Sequence, residues 1–225
     1  MNLLEFSRGP GLAISLIIFA VGVAWRLWGI FRLGKKPDLS APRSTATTAG
    51  AWRMILSKMW PQRAFLAASG GATFNAYLYH LGWLIAFLTF VPHIAFVERL
   101  TGLSWPALPD AVMAVATAVA ILGLVIALAR RLTDPVLRLL SNFDDYFTWV
   151  VTVLPLITGM ALIHRTYYGI ESIPPVLYTT PLALHLLSLE LLLVWLPFGK
   201  LAHAFLVFVS RGTTGAAFAR KGVPT

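Results

Sequence analysis

The sequence predicts an all-α integral membrane protein built as a bundle of five transmembrane helices, and three observations carry that prediction. Of its 225 residues, 58% are apolar and 12% charged, against roughly 45–50% and about 25% in soluble domains. The apolar residues gather into five runs, each near the roughly 20 residues that a bilayer core of about 30 Å requires. The 18 Lys and Arg residues, set against nine Asp and Glu, fall mostly on one side of those runs. No internal repeat appears, so the chain reads as one membrane domain over 1–225.

The first run covers about 10–33 and opens on Pro10, a residue suited to a first helical turn. It is too long for a signal-peptide core and lacks a small-residue cleavage site, so it reads as a retained span. A basic loop over 34–70 follows. Within it, Trp52, Met54, Ile55, Met59 and Trp60 mix with Arg53, Lys58 and Arg63, and Pro61 interrupts the pattern. That composition suits a helix in the headgroup layer and equally a partner-binding segment. The second run covers about 73–96, the third 111–129 and the fourth 147–163. Asp144 and Asp145 head the fourth, where carboxylates suit the positive end of the helix dipole. The fifth, 182–208, is long enough to tilt or protrude.

Orientation follows from the basic residues of the short loops. Arg32, Lys35, Lys36, Arg43, Arg53, Lys58, Arg63, Arg130, Arg131, Arg138, Arg211, Arg220 and Lys221 share one side, with Arg26 and Lys200 near it; only Arg8, Arg99 and Arg165 lie opposite. The expectation is an outside amino terminus and a cytoplasmic carboxyl terminus, in a bacterial or archaeal cytoplasmic membrane. The positive charge then serves sidedness, and no nucleic-acid partner is expected. The chain has no cysteine, which excludes disulfides, thiolate nucleophiles, cysteine zinc sites and iron–sulfur clusters held by this chain.

All five histidines, His80, His93, His164, His185 and His203, lie within or at the end of a run, on three predicted helices. Ionisable groups at membrane depth are costly and mark function by default, although an interhelical hydrogen bond is the common alternative. On a continuous fifth helix, His185 and His203 are five whole turns apart, on one face and about 27 Å apart along the axis. Depth pairs His80 with His203 and His93 with His185 across antiparallel helices two and five. Facing imidazoles are what a six-coordinate haem iron needs, and bis-histidine ligation favours electron transfer. Two such pairs predict two b-type haems. Small residues beside the ligands, Gly82 near His80 and Gly199, Ala202 and Ala204 around His203, leave room for a macrocycle. On a straight helix His80 and His93 stand about 220° apart, so Pro92 must kink the helix to turn His93 inward. The competing outer ligand is His164; depth and helix pairing favour His93.

Several stretches carry a family resemblance. Tyr79-His80-Leu81-Gly82 resembles the aromatic-His-x-Gly opening of the second helix in the membrane cytochrome b (gamma) subunit of respiratory nitrate reductase, and the 18-residue spacing of His185 and His203 resembles that family's last helix. Arg130-Arg131 leading into Ser141-Asn142-Phe143-Asp144-Asp145-Tyr146-Phe147, and Pro197-Phe198-Gly199-Lys200-Leu201-Ala202-His203, look closer to its relatives in sulfite-reduction-associated and heterodisulfide-reductase-like membrane complexes. The resemblance spans essentially the whole chain. The departure is at Phe90, where the nitrate-reductase pattern would place the next ligand; here His93 stands instead.

The resemblance implies an electron-transfer subunit of an oxidoreductase complex. It would exchange electrons between the membrane quinone pool, beside the outer haem, and an iron–sulfur partner at the cytoplasmic face. Lys200 and Arg165 become candidate propionate partners, although basic residues at helix ends also snorkel. Glu190 and His164 are candidate proton acceptors for quinol. Glu190 stands about 140° around the helix from His185, which argues against direct haem contact, and a helix–helix hydrogen bond would explain it as well. A reading from another class is a small transporter or channel whose histidines and Glu190 relay protons. A third is a structural anchor that has kept the fold without haem.

Overall fold

The computed structural model describes residues 2–34, 38–167 and 175–224; the side chains of 164–167 and 175–177 lie outside that description. The described residues are helical, with no strand among them. In chain order the helices are α1 (Leu3–Arg8), α2 (Pro10–Arg32), α3 (Thr47–Ser57), α4 (Arg63–Thr89), α5 (Val91–Thr101), α6 (Asp110–Thr133), α7 (Pro135–Leu140), α8 (Phe143–Tyr167), α9 (Pro175–Trp195) and α10 (His203–Arg220), with a 3-10 turn at Lys200–Ala202 before the last. Among the described residues, four helical segments are long and apolar enough to cross a membrane: Leu3–Arg32, Asp110–Thr133, Phe143–Ile163 and Tyr178–Trp195. The bent pair α4–α5 makes a fifth when counted as one span. Contacts divide the chain into two compact units, 1–19 with 71–195, and 20–70 with 196–225.

Two breaks matter for function. The expected 73–96 helix turns by 61° between α4 and α5. Phe90 there is extended (φ −83°, ψ 129°) and Pro92 stands in the first turn of α5, because proline has no N–H to offer the Leu88 carbonyl and its ring would clash with that carbonyl in a continuing helix. The expected fifth helix, 182–208, is a correction: α9 stops at Trp195 and α10 starts at His203. Pro197 removes an N–H, and Gly199 adopts φ −89°, ψ −170°. The five-whole-turn arithmetic between His185 and His203 assumed one continuous helix, so it does not hold.

In the first unit, α6 packs between α4 and α8. Ala86, Ala120, Leu124, Val153 and Leu156 form the core, flanked by Tyr79, Trp83, Ile121 and Trp149. Small residues and amide groups set the α4–α6 distance. A Cβ on Gly82 would lie 2.5 Å from the Ala116 carbonyl oxygen and 2.9 Å from Ala120 Cβ. Asn75 Nδ2 donates to the Gly123 carbonyl at 2.9 Å. The room at Gly82, expected for a macrocycle, is thus taken by α6, and the glycine is accounted for by close helix approach. Trp149 Nε1 donates to the Leu124 carbonyl at 2.7 Å, tying α8 to α6. At the head of α8, buried Asp145 pairs with Arg131 at 2.9 Å and accepts from the Asn142 N–H at 3.0 Å, so the dipole alone does not account for it.

In the second unit, α3 lies on α10 with Gly50 and Gly215 at the crossing. A Cβ on Gly215 would collide with the Gly50 carbonyl, and one on Gly50 with Ala219. Arg220 clamps the preceding loop by donating to the Asp38 carbonyl at 3.0 Å and the Ser40 carbonyl at 2.8 Å. The Arg43 N–H donates back to the Arg220 carbonyl at 2.9 Å.

Candidate haem-ligand pair

The break at Phe90 leaves the last four carbonyls of α4 without the N–H groups that a continuing helix would supply. All four are answered by residues further along the chain. Leu108 N–H donates to the Thr89 carbonyl at 3.2 Å, and the Trp105 indole donates to the Leu88 carbonyl at 2.5 Å. His93 Nδ1 donates to the Phe87 carbonyl at 3.0 Å and the Ala86 carbonyl at 3.2 Å. Carbonyls only accept, so Nδ1 carries the proton and the lone pair sits on Nε2, the tautomer that a metal ligand needs. Phe87 and Phe90 surround the ring, with centroids 5.7 and 5.3 Å away.

His185 on α9 meets that ring. The two imidazole centroids are 6.1 Å apart with planes inclined by 15°. Two imidazoles on opposite sides of one metal, each bonded through nitrogen at about 2 Å, have centroids about 6–6.5 Å apart. His185 is held in the same tautomer by α8. Thr158 Oγ1–H donates to the Leu154 carbonyl at 2.7 Å, so its oxygen accepts from His185 Nδ1 at 3.1 Å. Ser188 Oγ–H donates to the His185 carbonyl at 2.6 Å and lies 3.0 Å from Thr158 Oγ1. Gly159 leaves the ring its space, since a Cβ there would lie 3.1 Å from His185 Cε1. Thr158, Gly159 and Ser188 were not singled out by sequence; the only signal was a small and hydroxylated group inside two apolar runs.

The other expected site residues are placed as follows. His80 Nδ1 donates to the Ala76 carbonyl at 2.7 Å, and its ring stacks on Tyr79 at 4.6 Å. His203 Nδ1 donates to the Lys200 carbonyl at 2.8 Å, so Lys200 orients His203 through its backbone. Both histidines therefore share the Nδ1–H tautomer of His93 and His185. His80 belongs to the first unit and His203 to the second, and each is described by itself. His164 and Arg165 lie on α8, with side chains outside the described residues.

Glu190 is 7% exposed and faces the α1–α2 junction rather than the histidine pair. A Cβ on Gly11 would lie 2.6 Å from its Oε2, and its Oε1 is buried with no hydrogen-bond partner among the described residues. α1, which packs on α9, opens on an Asn2–Glu5 capping box.

No protein-family model matches the chain, and no solved structure matches it. Over 226 aligned residues it is 32% identical to a protein of Nitratidesulfovibrio vulgaris (strain Hildenborough), covering 96% of this chain and 93% of that one; the relative's name, "Protein", states no activity. With that identity along nearly the whole of both chains, this multi-helix chain belongs to the same family as the Nitratidesulfovibrio vulgaris protein.

Proposed function

We propose that the chain is a dihaem cytochrome b subunit of a respiratory membrane complex, exchanging electrons between the quinone pool and an iron–sulfur partner on the cytoplasmic side. The observation that carries the reading is the facing of His93 and His185, ring centroids 6.1 Å apart, with both Nδ1 atoms engaged. The residues fit the group. His93 and His185, each with Nδ1 engaged and the Nε2 lone pair left over, would hold a haem iron between them. A haem bound there supplies reversible one-electron chemistry at iron.

The rest is work for the chain's own side chains. His93 and His185 would bind the outer haem; the depth reading of the sequence assigns His80 and His203 to the inner one. Thr158 and the α4 carbonyls fix the ring orientations, as second-shell partners of ligating histidines do. Phe87 and Phe90 keep water from His93. The absence of cysteine requires electrons to leave for clusters on another subunit. His93 is favoured over His164 as outer ligand because its ring already opposes His185. Glu190, turned toward α1 and α2, acts on quinol protons only at a distance from this pair.

The test is a reduced-minus-oxidised absorption spectrum and a haem count on the purified chain. Two b-type haems per chain support the reading. None would favour the proton-relay alternative, to which the Thr158–Ser188 hydroxyl pair and the buried Glu190 lend some support.

A further inference from the structure

We infer that α3 is a membrane-surface anchor, seated with its exposed apolar stripe in the headgroup layer of anionic lipid. The helix has two faces. Gly50 and Met54 are buried against α10, while Trp52 and Leu56, one turn apart, are 61% and 63% exposed, and Trp60 just beyond the helix is 74% exposed. Arg53, Lys58 and Arg63 flank that stripe. Large apolar groups edged by cations are the composition of a helix lying in an interface, with Trp at the polar–apolar boundary.

Two further observations choose lipid as the occupant. The chain from Ser57 to Arg63, where α4 begins, is only six residues. At no more than about 3.6 Å per residue, α3 is tethered within about 22 Å of the entry of α4. The first turn of α4 also presents large apolar side chains, Phe65 63% and Leu66 42% exposed. The Gly50–Gly215 contact holds α3 rigidly on α10, so the stripe is formed before anything binds it. The inference rests on α4 being a membrane span and is independent of haem.

The cysteine-free chain allows a clean test by spin labelling. Single variants Trp52→Cys, Leu56→Cys and Trp60→Cys would carry a nitroxide in the full-length protein, reconstituted in vesicles of phosphatidylglycerol and phosphatidylcholine or of phosphatidylcholine alone. Label accessibility to oxygen and to a water-soluble nickel chelate gives depth. The expected result is oxygen access several-fold above chelate access at 52 and 56 in the anionic vesicles. In the background of Arg53→Glu with Lys58→Glu, the ratio should fall toward that of a surface loop. Circular dichroism confirms that each variant keeps its helix content. Chelate access at 52 and 56 equal to that of a label at Ser40, in correctly folded protein, would overturn the inference and leave the stripe as a face for a protein partner.

Discussion

Gly159→Val is the sharpest perturbation of the outer pair. A Cβ at 159 would sit 3.1 Å from His185 Cε1 and 3.5 Å from Nδ1, where carbon atoms prefer about 3.5–4.0 Å. Alanine therefore asks the imidazole to move by a few tenths of an ångström. The two methyl groups of valine ask for more, and overpacking of this kind costs about 1–3 kcal/mol. His185 cannot yield freely, because Thr158 Oγ1 holds Nδ1 and Ser188 holds the backbone carbonyl. The cost should fall on ligation, as a weakening of about 5–150-fold in haem retention, the equivalent of that free energy. The assay is haem per chain with the reduced-minus-oxidised spectrum, in wild type, Gly159→Ala and Gly159→Val. Two haems, close to two, and one are the expected counts. A Gly159→Val protein that is folded and keeps two haems with an unshifted spectrum would refute the placement of His185 as a ligand.

Thr158→Val removes the side-chain acceptor of His185 Nδ1 and should weaken the outer haem by about 10–100-fold, as loss of a second-shell partner does, with its midpoint potential shifting and the inner haem's unchanged. Gly82→Val should instead lower the melting temperature by bulk at the α4–α6 contact, costing about 1–3 kcal/mol or more, without selective loss of either haem signal. Arg131→Met removes the 2.9 Å ion pair to buried Asp145; because Arg131 is partly exposed, a loss of about 1–3 kcal/mol is expected, read by thermal unfolding in detergent. The loop at Asp38 should respond to acid. Hydrogen bonds from Ser40 Oγ and N–H to Asp38 Oδ1 hold its carboxyl below the ordinary carboxylate value. A lowered folded pKa contributes stability above the unfolded value and loses it as pH falls through the folded one. Hydrogen exchange at 38–43 should therefore be unchanged from pH 7 to about 5 and, corrected for intrinsic rates, accelerate below the usual carboxylate range near pH 3.9.

The apolar runs were legible because a bilayer imposes length and composition together, and each run holds a helix in the structure. Pro92 was legible too: its missing N–H required a bend, and the bend is what turns His93 toward His185. Pro197 and Gly199 carried the same kind of signal, yet the run of apolar residues through them read as one helix, and the rotation between His185 and His203 was counted across a break. α1 was not legible because the first run was read from Pro10, whereas the helical segment extends back to Leu3 across a single non-helical residue, Gly9. Thr158, Ser188 and Gly159 could not be assigned from sequence, since their roles exist only where α8 meets α9. Gly82 shows the opposite error. A glycine beside a candidate ligand suggested space for a cofactor, whereas the space it makes is filled by Ala116 and Ala120.

Haem stoichiometry of the purified full-length chain, by pyridine haemochrome against protein concentration, tests the central claim most directly. Two b-type haems per chain are expected in the wild type and one in His93→Ala, with His164→Ala retaining two. No haem in the folded wild-type chain, or two haems retained by His93→Ala, would contradict it.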